Sequence, residues 1–213
     1  MRHRNTGEWP QQDYKLPGVT IHSASIIVPL LLPSCVMVET RWCVFTGAPS
    51  SGKTTVLERF AARGYRCHRE VARLCIEEEL ARGRRLEEIR GEEGSFQRSI
   101  IPKKLALEDR GSPAEITFWD RALPDSISYF RLAGLDPAEL WPLCRLRHYA
   151  RVFAFDPLPP VADCARVETV GSIWRLDEWL ERDYRELGYE VIRVPVSSIS
   201  AREAFVMSCI EGL

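Results

Sequence analysis

The stretch RWCVFTGAPSSGKTTVLERF, residues 41–60, decides how this chain is read. Its centre has the pattern G-x-x-x-x-G-K-[ST]: Gly47, Ala48, Pro49, Ser50, Ser51, Gly52, Lys53 and Thr54. Small residues let the main chain approach a ligand closely, and glycine takes up positive φ without steric cost. Such a loop turns backbone N–H groups towards phosphate oxygens, and the helix behind it adds the positive end of its dipole. Lys53 would reach the β- and γ-phosphates of ATP, and the Thr54 hydroxyl would hold Mg²⁺. Thr55 follows at the helix start, either as a further loop contact or as a packing or capping residue.

The flanks fit the pattern. WCVFT is β-branched and aromatic, as a buried strand should be. KTTVLERFAARG sets Val56, Leu57, Phe60 and Ala61 on one helical face and stops at Gly64.

The chain has 213 residues, enough for one α/β domain with a sizeable core. Its 29 Lys+Arg balance 30 Asp+Glu, which gives no electrostatic case for nucleic acid as a partner. The seven cysteines include no C-x-x-C pair and read as thiols in a reducing compartment. Cys67 beside His68 lacks the further spaced ligands of a metal site.

Residues 1–20 are polar and without period. The apolar run Ile26–Leu32 contains Pro29 and is too short to span a bilayer. An export signal, with Arg2 and Arg4 as its basic end, is set against an ATP-using loop soon afterwards, which favours the cytoplasm. Met37 stands shortly before the first strand and the phosphate loop. The expectation is an extension over 1–36, outside the functional domain, and a nucleotide-binding domain over 37–213.

Beyond Gly64, GYRCH reads as a second strand that delivers Glu70 at its end, and EVARLCIEEELARG as a helix. Residues 85–110 look helical, with breaks at Gly91, Gly94 and Pro102. AEITFWD (114–120) is the third strand, followed by two short helices that open at prolines. YARVFAFDP is the fourth strand, and 157–171 a long loop. Ile173, Leu176, Leu180, Tyr184 and Leu187 mark a core-facing helix closed by Gly188. YEVIRVPV is the fifth strand, and 200–211 a closing helix. Strands alternating with helices predict an α/β three-layer sandwich around a five-stranded, mainly parallel sheet.

Magnesium needs a carboxylate near Thr54 at a strand end. Asp120 and Asp156 both qualify, and Asp120 is favoured because Arg121 follows it and can clamp phosphate. Glu70 is either the base for an acceptor hydroxyl or an ordinary first-turn charge. Arg145, Arg147, Arg151, Arg166 and Arg175 are candidates for a phosphate-covering lid.

Through GAPSSGKTT, Glu70, FWDRALPDS and the region before YRELGYEVIRVP, residues 40–213 resemble P-loop kinases of the nucleoside and nucleotide kinase kind. The resemblance is especially to small bacterial predicted ATPases carrying a generic AAA domain, a group related to the ribosylnicotinamide kinase domain. It implies that Asp120 and Arg121 act at the transferring phosphate and that Glu70 serves as base. It also implies that Phe96 and Gln97, in SFQRS, match a base-contacting pair of deoxynucleoside kinases. The expected activity is transfer of the γ-phosphoryl group of Mg-ATP to a small acceptor. The alternative is an ATPase that drives a conformational change in a protein partner. No N/T-K-x-D or LSGGQ-like stretch occurs, which disfavours a GTP switch and a transporter ATPase.

Overall fold

The computed structural model describes residues 37–158 and 170–213. Arg166, Cys35, Cys164 and the proposed extension over 1–36 lie outside the described residues. The chain order is β1 (Val38–Glu39), β2 (Trp42–Thr46), α1 (Lys53–Ala62), β3 (Arg66–His68), α2 (Val71–Ala81), α3 (Leu86–Gly91), α4 (Glu93–Asp109) and β4 (Thr117–Asp120). Then come α5 (Asp125–Leu132), α6 (Leu140–Cys144), β5 (Arg147–His148), β6 (Arg151–Phe155), α7 (Val170–Glu186), β7 (Val191–Val194) and α8 (Ile199–Ile210).

Five strands form one sheet in the order β3-β4-β2-β6-β7, and every pairing is parallel. The sheet is therefore wholly parallel, where the sequence suggested mainly so. Its central strand, β2, is buried at all five positions, as a parallel strand covered on both faces must be. Cys43 and Phe45 face α1 and α8 through Val56, Leu57, Phe60, Val206 and Ile210. Trp42 and Val44 point the other way, towards Trp119, Tyr149 and Tyr184. On that side α2, α4, α5 and α6 share a second apolar cluster, which includes Val71, Ile101, Ile127 and Leu140.

Two local expectations change, and one small element is added. The third strand is shorter than 114–120, because residues before Thr117 form turns. Gly94 and Pro102 do not break the helix: α4 runs continuously from Glu93 to Asp109. A proline removes only one helical hydrogen bond, and the buried Ile100 and Ile101 beside it anchor the turn. A two-residue parallel pair, β1 with β5, lies outside the main sheet and has no sequence signal.

Cys43, Cys67, Cys75 and Cys144 are buried and Cys209 is half-buried, and no disulfide joins them. No helix among the described residues is long and apolar enough to cross a membrane.

Candidate active site

Strand β2 ends in the loop, and its neighbours β4 and β6 end beside it in Asp120 and Phe155. Because β2 lies between strands reached in opposite directions, the crevice beyond its carboxyl end is where a parallel α/β sheet binds ligands. The loop fits closely into that edge. Gly47 has φ 118, and a β-carbon there would stand 2.5 Å from the Phe155 carbonyl oxygen. Ser50 and Gly52 also have positive φ, at 61 and 83. Pro49 is half-buried, Ser50 exposed and Ser51 buried.

Lys53 opens α1 and folds back over the loop. Its ammonium donates to the Gly47 carbonyl at 3.0 Å, the Ala48 carbonyl at 2.8 Å and Ser51 Oγ at 3.0 Å. All three ammonium protons are thus engaged by the loop itself. Burial, and then the charge of Arg121, push its pKa down to about 8, against the pull of Asp120, Glu70 and Asp125. Thr54 Oγ1 donates to Asp120 Oδ2 at 2.6 Å. Thr55 is exposed and makes no helix cap, so the packing and capping alternatives both fall away.

Asp120 is buried, and its Oδ1 has no hydrogen-bond partner among the described residues. Burial and the charge of Glu70 push its carboxyl above the usual range, with Lys53, Thr54 and Arg121 opposing. Asp156 is placed differently, with Arg193 donating to its Oδ1 at 2.8 Å. We expect Asp120→Asn to lower Mg²⁺-dependent ATP turnover by about 10²-fold or more, the scale of a lost electrostatic contact in the transition state. Asp156→Asn should stay within a few-fold of wild type in the same steady-state assay. The reverse ranking would exchange the two assignments.

Arg121 adopts φ 62, and its N–H donates to the Phe45 carbonyl at 3.0 Å. Its Nε lies 3.0 Å from Glu70 Oε1, an ion pair whose alignment falls short of a hydrogen bond. Its Nη1 donates to Asp125 Oδ1 at 3.1 Å, and the guanidinium stands over the Tyr129 ring. Glu70 sits at the N-cap of α2, so its carboxylate meets Arg121 at the strand edge.

Asp125 received no role in the sequence reading, although it lies within FWDRALPDS. It is fully buried and accepts four hydrogen bonds: from Thr46 Oγ1 at 2.7 Å, Arg121 Nη1, the Ala122 N–H at 3.0 Å and Tyr184 Oη at 2.6 Å. One carboxylate thereby joins the residue before Gly47, the turn of Arg121, and α7. Asp177, also on α7, accepts from the Ala48 N–H at 3.1 Å and from Arg193 at 2.9 Å.

Of the proposed lid arginines, Arg145, Arg147 and Arg151 are engaged elsewhere, and Arg166 lies outside the described residues. Arg147 pairs with Glu108 and Asp109, Arg151 donates to the Cys209 carbonyl, and Arg145 lies over Trp141. Arg175 is exposed on α7. On α4, Gln97 is buried, with its Nε2 donating to Glu93 at 2.7 Å and its Oε1 unpartnered. Phe96 packs beside the second apolar cluster. His68 stacks on Trp119, and burial, aided by the charge of Arg66, pushes its pKa down to about 4. It is a neutral ring against the sheet. No metal-binding group of three His, Cys, Asp or Glu side chains occurs among the described residues.

A family model described as AAA domain matches residues 42–202. The NadR protein, solved in complex with NR, is similar in fold at a TM-score of 0.60 and 20% identity. That match covers 82% of this chain and 51% of the NadR chain, so this chain spans about half of that protein. Deoxyadenosine kinase from M. mycoides, solved with dCMP and a flexible dCDP, matches at a TM-score of 0.57 and 13% identity, over 81% of this chain and 100% of that one. Thymidylate kinase from Candida albicans matches at 0.51 and 12%, over 81% and 92%. A search of curated proteins gives no significant match. These likenesses are likenesses of fold.

Proposed function

The chain belongs to the AAA domain family and has the fold of P-loop nucleoside and nucleotide kinases, and from that premise we propose that it transfers the γ-phosphoryl group of ATP to a hydroxyl of a small, nucleoside-like acceptor. The observation that carries the proposal is the placement of Glu70. Its Oε1 is held 3.0 Å from Arg121, next to the Asp120–Thr54 pair at the end of the phosphate loop. The charge of Glu70 acts on the Asp120 carboxyl, and a base for an acceptor hydroxyl needs to adjoin the transferring phosphate in this way.

In this reading the loop amides and Lys53 hold the phosphates of ATP. Arg121 is fixed between Glu70 and Asp125 to face the equatorial oxygens of the transferring group. Glu70 uses its second oxygen, Oε2, to accept the proton of the acceptor hydroxyl as that oxygen bonds phosphorus and the bond to the ADP oxygen breaks. The unpartnered Asp120 Oδ1 and the Thr54 hydroxyl form a hard-oxygen pair that suits Mg²⁺. When bound, that ion would neutralise charge on the β- and γ-phosphates. The proposed compartment is the cytoplasm, where ATP is available.

A second reading is ATP hydrolysis coupled to a protein partner. The Asp177–Ala48 contact favours it, because it ties α7 to the phosphate loop. Labelled ATP offered with a panel of nucleosides and cofactors separates the two. Acceptor-dependent label transfer supports the kinase. Hydrolysis independent of any acceptor and raised by a partner replaces it with the ATPase.

We place the site within residues 37–213. A chain starting at Met37 should bind Mg-ATP as the full chain does by calorimetry, and lost binding would bring residues 1–36 into the site.

The low pKa of Lys53 gives a pH signature. Its folded value of about 8 lies below its ordinary value of 10.5, so the unfolded chain binds more protons between the two. The stability of the empty protein therefore rises with pH through that window. Bound polyphosphate restores the charge, so ATP binding above about pH 8 should take up protons. Calorimetry in buffers of different ionisation enthalpy measures this. Heats independent of the buffer would show that Lys53 does not change charge on binding.

A further inference from the structure

Against the outer side of the phosphate loop lies a cation that has no ion-pair partner among the described residues. Arg202, on the first turn of α8, is 2% exposed. Its Nη1 donates to the Ser51 carbonyl at 2.6 Å and its Nε to the Pro195 carbonyl at 3.0 Å. The guanidinium carbon stands 5.8 Å from the centre of the Phe155 ring. Nη2 is buried and has no hydrogen-bond partner among the described residues. Asp156, the acid whose field acts on Arg202, is already engaged by Arg193.

Two carbonyl dipoles and an aromatic face do not neutralise a buried guanidinium, and buried charges are ordinarily paired. The contrast with the other buried arginine of the site is direct, since Arg121 has both Glu70 and Asp125. The environment of Arg202 is the loop itself, for a β-carbon at Gly52 would lie 3.1 Å from Nη1. The peptide that accepts its hydrogen bond on the Ser51 oxygen carries the Gly52 N–H at its other end. Charge-assisted donation to that oxygen polarises the peptide and makes the N–H a stronger donor.

We propose that Arg202 is a positioning residue of the nucleotide site whose missing counterion is the polyphosphate of the bound nucleotide, reached through the Ser51–Gly52 peptide. The proposal rests on the ATP-binding reading above. It adds to the phosphate site a residue from the far end of the chain, outside the Gly47–Thr54 pattern.

The test compares Arg202→Gln, which keeps donors and removes the charge, with Arg202→Lys, which keeps the charge. Inorganic tripolyphosphate and Mg-ATP are titrated into the full chain by calorimetry. The Gln variant should bind both about 10–100-fold more weakly, the worth of a hydrogen bond to a charged group. The Lys variant should remain within a few-fold of wild type. A merely structural arginine would not be rescued by lysine. Unchanged binding in the Gln variant, equal loss in both, or a Lys variant that fails to fold overturns the assignment. If the Gln variant does not fold, the Lys variant decides alone: near-normal binding supports the proposal and weak binding overturns it. A wild-type chain that binds neither ligand removes the ATP reading and this inference together. Wild-type binding that the Gln variant matches removes only the inference.

Discussion

Lys53→Ala should lower ATP turnover by at least about 10²–10³-fold, the scale expected when a donor aimed at developing transition-state charge is removed. It should also weaken ATP binding while leaving the fold in place. In the empty protein the lysine serves only its own loop, through the carbonyls of Gly47 and Ala48 and the hydroxyl of Ser51. Its removal leaves those acceptors short of donors but also takes a partly unfavourable charge out of a buried site. The two effects oppose each other, so the thermal midpoint should move by only a few degrees. The left-handed backbone of the loop belongs to Gly47, Ser50 and Gly52, and none of these is altered. ADP release in a coupled assay, beside circular dichroism of the same sample, gives both readings. Turnover equal to wild type would remove the phosphate-loop basis of the function.

Glu70→Gln is expected to cost about 10²–10⁴-fold in kcat with the acceptor found by label transfer, the usual contribution of general base catalysis. ATP affinity should hardly change. The substitution preserves size and the N-cap position of α2 but removes the ability to take a proton. Arg121 would keep Asp125 as its counter-charge, so its turn should stay in place. A kinase base affects transfer to the acceptor at least as strongly as background hydrolysis, and measuring both in one experiment makes that comparison. If kcat stays within a few-fold of wild type, Glu70 is only the ion-pair partner of Arg121, and Asp120 is the next base to test.

The phosphate loop was legible because everything that defines it is local: spacing, small residues, an apolar strand before and an amphipathic helix after. The preference for Asp120 over Asp156 rested on a similarly local feature, Arg121 next to it in the chain, and the two acids do meet different partners, Thr54 and Arg193. Strand order was not legible, because the placement of β2 between β4 and β6 depends on pairings distant in sequence. Pro102 misled because a local penalty is read alone, whereas the helix around it is held by tertiary packing. Asp125 received no role, because its four donors come from three separate parts of the chain. The arginines at 145, 147 and 151 clustered in sequence, yet their contacts to Trp141, Glu108 and the Cys209 carbonyl point them elsewhere. Arg202 gave no signal at all, as its meaning lies in a carbonyl 151 residues away in sequence.

Helix α7 has a consequence for how the chain tolerates changes of length. Asp177 holds the Ala48 N–H, and Tyr184 holds Asp125, which in turn holds Arg121. The two residues are two turns apart on one face, separated by about 10 Å of rigid rise. The helix therefore acts as a gauge between the nucleotide loop and the arginine turn. One residue inserted between them would rotate one contact by about 100° relative to the other, so that both could no longer be made at once. Insertions and deletions are thus barred from the span 177–184, whereas the same change beyond Gly188 shifts neither contact.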